Sequence, residues 1–337
     1  MNLKSVSLMD FLHFIALSSA FLGGAFVLNN FLTYIYDLPG AFGMMSMIGI
    51  NLGEIHPNTS FTIKLLGVFQ TISYLAAIVF PIRIIYNKTN HRDESMPNNI
   101  SEIIVSAAFW SVLFVGIVDA FISFIRIESF LPIIVGEDLA LSLGKPSFRG
   151  MYVHFPLIAV GIIIAFLRRS IDFIWLTLMI VLGELLIVIA RFIFSYEQAF
   201  MGDLVRFWYA ALFLFSSAYT LVHDGHVRVD IIYASFSEKR KAHTNIYGSL
   251  IFGIPLCWVI LIRGLWNESS PFNLALLNFE VTQQGFGMYV KYLMSGFLVI
   301  FALSMLFQFA YFIITNINNL ENYSEQPEDA SEQERFS

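Results

Sequence analysis

Charge is what this sequence has least of. Asp, Glu, Lys and Arg make up 13% of the 337 residues, roughly half the share of about 25% in an ordinary soluble domain. A chain so poor in charge cannot cover a normal water-exposed surface. Cysteine is nearly absent as well, because Cys257 stands alone inside an apolar run. A single thiol excludes an intrachain disulfide, a CxxCH haem attachment and a cysteine-rich metal centre. No Walker A, HExxH or GxSxG stretch occurs, so nothing points to an enzyme or to a bound cofactor. Nor is there a basic patch. The tail from Glu321 to Ser337 holds six acids and one arginine, and the remainder has 19 acids against 18 bases, which gives no reason to expect nucleic acid as a partner.

Apolar sequence is abundant and comes in blocks. Hydrophobic residues reach 57%. Eight runs, near 10–35, 63–86, 101–126, 150–167, 173–194, 204–222, 244–266 and 289–315, are long enough to cross a bilayer, which takes about 20 residues per helix. Unsatisfied backbone is not tolerated in lipid, so each run reads as a helix. The expectation is an all-α integral membrane protein with about eight transmembrane helices. The start, "MNLKSVSLMDFLHFIALSSAFLGG", also fits a signal peptide ending at Ser18-Ser19-Ala20. The apolar run continues past Ala20 for a full crossing, which favours a retained helix. The acidic end, 317–337, has too few apolar residues to offset the entropy of ordering and reads as a disordered tail.

Lysine and arginine orient the crossings. Lys4 precedes the first run, the linker 87–100 carries Lys88 and Arg92 with Arg83 just before it, and Arg168 and Arg169 follow the fourth run. Arg228, Lys239, Arg240 and Lys241 lie in 223–243, whereas 37–60, 195–203 and 267–288 hold neither residue type. The excess of positive charge on alternate connections places both termini in the cytoplasm. Only 127–149, with Lys145 and Arg149, blurs the alternation.

Four groups of polar residues are candidates for function. "HDGHVRVD", 223–230, packs five ionisable side chains into eight positions, with His223 and His226 three apart. Gly225 between the histidines, Arg228 and the alternating Val227 and Val229 oppose a metal cage and favour a turning or extended connection. A bis-histidine haem fares no better, because His13 and His154 lie at opposite ends of their crossings and the other histidines fall in connections. Charges inside crossings come next: Glu184 and Arg191 seven apart on one face, Asp119 in the third run, and Asp203 with Arg206 at the start of the sixth. Such charges are costly in lipid and face protein or a cavity. Helix–helix packing is the favoured reading. The alternative is a stand-alone transporter or channel with Glu184, Arg191 and Asp119 as its intramembrane polar site. Last, the apolar residues from Val227 to Phe236 followed by Lys239, Arg240 and Lys241 suit an interfacial arm meeting anionic lipid, or an ordinary basic loop.

"LVHDGHVRVDIIY" after an apolar helix resembles the signature of the small membrane, DctQ-type, subunit of TRAP transporters. "IVIARFIF" and "EQAFMGDLVRF" resemble that family's first core helix and the approach to its second. The resemblance covers 170–316, departs from the family's usual Trp-x-x-Glu near Gly202-Asp203, and leaves 1–169 as an N-terminal extension of about four crossings. It implies a four-helix small-permease core without catalytic residues or cofactor. It further implies a sodium-coupled importer of organic acids in a bacterial inner membrane, in which this subunit braces the large membrane subunit and a periplasmic binding protein delivers substrate. Gly225, His226, Arg228 and Asp230 then become an anchor of the cytoplasmic loop. Glu184, Arg191, Asp203 and Arg206 pack helices or a partner.

Overall fold

The computed structural model describes residues 7–47, 60–86, 93–168, 174–222 and 231–325. Every regular element among them is helical, and eight helices are long and apolar enough to cross a membrane. The expected all-α membrane architecture therefore holds. The spans are Leu8–Ile35 (α1), Phe61–Tyr86, Ser95–Ile127, Pro146–Leu167, Ile174–Phe194, Ala199–Ala218, Glu238–Leu265 and Lys291–Tyr323. The last helix continues to Glu325, so 317–325, expected as the beginning of the tail, is helical with Ile317 and Leu320 buried.

The chain gathers into two compact units, one from Met1–Ile100, Leu221–Val259 and Met305–Ser337, the other from Ser101–Thr220 and Ile260–Ser304. In the first unit, α1 begins with a capping box in which the Ser7 hydroxyl accepts from the Asp10 amide while the Asp10 carboxylate accepts from the Ser7 amide. This satisfies two of the amide donors left over at a helix start. A short helix, Gly40–Met47 (α2), then turns the chain toward α3, Phe61–Tyr86. Gln70, 1% exposed, joins the three. Its side-chain oxygen accepts from the Gly40 amide at 3.1 Å, and its nitrogen donates to the Asn29 carbonyl at 3.3 Å and to Thr33 Oγ1 at 3.1 Å. Elsewhere in this unit the Trp258 indole donates to Ser19 Oγ at 2.7 Å, and Asn245 donates to Asn316 at 3.1 Å.

The second unit packs α4 (Ser95–Ile127, from Ser101 onward), α8 (Phe155–Leu167), α9 (Ile174–Phe194), α10 (Ala199–Val222, up to Thr220) and the start of α15 (Lys291–Glu325). The connection after α4 carries the short helices α5 (Leu131–Val135), α6 (Glu137–Leu143) and α7 (Pro146–Arg149). Two more short helices lie elsewhere, α11 (Ile231–Ala234) and α14 (Pro271–Leu277). Gly161 lets α8 approach α4 closely, since a Cβ there would stand 2.6 Å from Ser111 Oγ and 2.7 Å from the Ser111 amide. Phe207 and Phe215 of α10 both meet Phe297 of α15, at 5.3 and 5.1 Å between ring centroids.

Two spans contain a turn of π-helix. Gly150–His154 separates α7 from α8, and Ser249–Gly253 separates α12 (Glu238–Gly248) from α13 (Ile254–Leu265). Each ends two residues before a proline, Pro156 or Pro255. Proline removes an amide donor and its ring collides with the carbonyl one turn back. In the wider turns Phe155 donates to the Gly150 carbonyl and Ile254 to the Ser249 carbonyl, five residues back instead of four. The extra residue absorbs the misfit without breaking the span.

Candidate functional site

The second unit contains a buried polar network built around irregular backbone. Between α14 and α15 the chain has no regular structure over 281–290, yet Gly287, Met288, Tyr289 and Val290 are buried. Buried irregular backbone of that kind needs partners for its amides and carbonyls. Two carboxylates are such partners, on consecutive residues. Asp203, near the start of α10, accepts from the Met288 amide at 3.1 Å, and Asp119 of α4 accepts from the Tyr289 amide at 2.9 Å. Arg126, two turns along α4 from Asp119, donates to the Gly287 carbonyl at 2.9 Å. Gly287 is required here, because a Cβ on it would stand 2.6 Å from Asp203 Oδ2.

The second oxygen of Asp119 is committed as well. Its Oδ1 receives Arg149 Nη1 at 2.9 Å and lies 3.0 Å from His154 Nε2, and all three side chains are fully buried. Arg149 Nη1 also donates to Ser123 Oγ at 3.0 Å, while its Nε and Nη2 donate to the Leu143 carbonyl at 3.0 and 2.9 Å. One arginine thus neutralises Asp119 and satisfies a carbonyl left over at the end of α6. The other ring nitrogen of His154 lies 2.8 Å from the Tyr292 hydroxyl. The guanidinium groups of Arg149 and Arg126 stand over the Tyr289 ring, 4.2 and 4.5 Å from its centroid, where its negative face attracts a cation. The Tyr289 hydroxyl lies 2.9 Å from the Gly144 carbonyl and 2.5 Å from that of Gln284.

A charge removed from water is tolerable when it is paired and its remaining lone pairs or protons are hydrogen-bonded. Asp119 meets both conditions, because both oxygens have partners. The arrangement locks the connections 128–145 and 281–290 onto α4 and α10. At its border Tyr196 donates to Glu128 Oε1 at 2.7 Å, and burial, followed by Glu128, pushes the Tyr196 phenol up to about 12. A cleft of about 300 Å³ lies beside the lock, lined by Glu197, Gln198, Asp203, Arg206 and Gln283 among others.

The residues singled out from sequence divide between this lock and the surface. Asp203 belongs to the lock. Arg206, three residues on, stands 3.7 Å from it with 73% of its side chain exposed. Glu184 and Arg191 both lie exposed on α9, and Arg191 pairs with Glu197 at 3.2 Å. Neither shares a bond with Asp119 among the described residues. Lys239, Arg240 and Lys241 fall in the first turn of α12. Ser237 stands in extended backbone before that helix, and Glu238, which receives Lys241 at 2.8 Å, puts a carboxylate at its positive end. Gly225, His226, Arg228 and Asp230 lie outside the described residues.

Sequence reasoning noted Asp119, Arg149 and His154 one at a time and missed their union, and it missed Tyr289 and Tyr292 altogether. A signal was present. Arg149 is one of the two cations that blur the alternation of Lys and Arg, and a cation out of place next to an apolar span calls for a buried counter-charge.

The fold and its lock define an all-helical, multi-pass membrane protein that spends its buried charges on its own backbone. Within it, residues 176–319 match the family of Tripartite ATP-independent periplasmic transporters, DctQ component. That stretch runs from α9 into α15, and further apolar helices precede it. No curated protein and no solved structure matches the chain.

Proposed function

We propose that the chain is the small permease subunit of a TRAP-type, sodium-coupled, binding-protein-dependent importer of organic acids. The match of 176–319 to the DctQ component carries this reading. Residues 170–316 are its small-permease core and 1–169 an N-terminal membrane extension. It sits in a bacterial inner membrane with both termini in the cytoplasm and braces the scaffold of the large membrane subunit. A periplasmic binding protein supplies substrate to the complex. The network around Asp119 supports a bracing role, because a carboxylate with every acceptor occupied is a poor ion relay and a good fastener. Gly225, His226, Arg228 and Asp230 anchor the cytoplasmic loop, and Lys239, Arg240 and Lys241 meet anionic headgroups.

The test is purification of a tagged chain in mild detergent followed by reconstitution. A large multi-helix membrane subunit is expected to accompany it. Liposomes holding both chains and supplied with the binding protein should take up an organic acid only under an inward sodium gradient. Uptake by the tagged chain alone would overturn the proposal. Arg228→Ala is expected to lower the yield of the complex while leaving insertion of the chain unchanged.

A further inference from the structure

Helix α9 carries three distinct faces, and one of them holds a carboxylate at mid-span. Leu176, Ile180, Gly183, Ile187 and Ala190 turn toward the chain, and a Cβ on Gly183 would lie 3.3 Å from Val205. A second face, with Trp175, Leu178, Leu182, Leu186, Ile189 and Ile193, is exposed and wholly apolar, as a surface against lipid chains should be. The third face is different. Ile174, Thr177, Val181, Glu184, Val188 and Arg191 are all exposed and follow one another at alternating steps of three and four. That spacing lines them up along one side of the helix. It places β-branched residues at 174, 181 and 188, and polar ones at 177, 184 and 191, each set repeating every seven.

Glu184 is the eleventh residue of the 21 in α9. At a rise of about 1.5 Å per residue it lies roughly 15 Å from either end, beyond the reach of a glutamate side chain. It has no hydrogen bond or ion pair among the described residues, unlike Arg191, which Glu197 neutralises near the helix end. A carboxylate at mid-depth on an outward face is costly in lipid. A second copy of this chain is a poor cover, because copies inserted in the same orientation would set Glu184 against Glu184.

The geometry points to the Ile174–Arg191 stripe of α9 as the seam that docks a transmembrane helix of the large subunit, which presents a basic side chain or other hydrogen-bond donor to Glu184. This rests on the small-permease reading and adds to it the face used, the register and the chemistry of the contact. A polar residue at one seam position fixes register at some cost in affinity, which suits a static brace.

Single cysteines in a Cys257→Ala background test it, each carrying a short photoactivatable cross-linker and co-expressed with the large subunit. Val181→Cys and Val188→Cys should cross-link to the large subunit. Leu182→Cys and Ile189→Cys, on the apolar face, should label lipid. Glu184→Lys in the Val188→Cys chain should cut the cross-linked product at least about tenfold, and Glu184→Gln should cut it less. If the large subunit co-purifies with the wild-type chain but the seam positions capture only lipid or a second copy, the seam assignment is wrong and the small-permease reading stands. If no large subunit co-purifies at all, that reading fails and takes this occupant with it.

Discussion

Asp119 shows how much one side chain can hold when all its acceptors are used. Removing one member of a buried pair leaves an uncompensated charge, which costs about 3–5 kcal/mol. Arg149→Met is therefore expected to lower stability by about that amount, read as a fall in the thermal midpoint of the purified chain in detergent. The double change Asp119→Leu with Arg149→Met should cost less than the two singles together, because neither charge of the pair is left without the other. It should still fall short of wild type, since the Tyr289 amide and the Leu143 carbonyl lose their partners. Asp203 and Arg206 separate by the same logic. Asp203→Ala orphans the buried Met288 amide and should cost about 1–3 kcal/mol. Arg206→Ala removes a long contact from a side chain that is mostly exposed, and should change stability by no more than about 1 kcal/mol. An Arg206 effect as large as that of Asp203 would mean that the pair, and not the backbone contact, holds the site. None of this partnership was legible from spacing. Arg149 stands 30 residues and Tyr289 170 residues after Asp119, and no local periodicity joins residues so far apart.

Helices were the legible level. Runs of apolar residues in lipid leave the backbone few choices, so eight blocks in the sequence became eight spans with ends displaced by up to eight residues. The short helices α5, α6 and α14 in the connections were not foreseen, because lengths of five and seven residues carry too little periodicity. The π turns were also hidden. Pro156 and Pro255 were visible, but whether a span kinks, breaks or widens by one residue depends on the neighbours that take up the freed carbonyls. Close packing at Gly161 gives the sharpest prediction at this scale. Gly161→Leu would force α8 away from Ser111 and should cost about 1–3 kcal/mol, while Gly161→Ala should cost less. Thermal unfolding in detergent ranks the two. Equal stability of Gly161→Leu and wild type would show that α8 is not seated on α4 as described.

For the whole molecule the open variable is direction across the bilayer, and the distribution of lysine and arginine argues for one answer. The basic first turn of α12, with Lys239, Arg240 and Lys241, should lie on the cytoplasmic side, and the Lys- and Arg-free connection 267–288 on the outside. Arg149 does not count against this, because Asp119 neutralises it inside the protein, where it no longer acts as a free cation on either surface. Ser237 and Thr282 are both exposed and probe the two sides. In intact spheroplasts a membrane-impermeant maleimide should label Thr282→Cys and leave Ser237→Cys unlabelled until the membrane is opened. Cys257 should stay silent in both, being 1% exposed within an apolar span. The reverse pattern would turn the chain over. It would also place the Asp119 lock at the cytoplasmic end of its helix, α4.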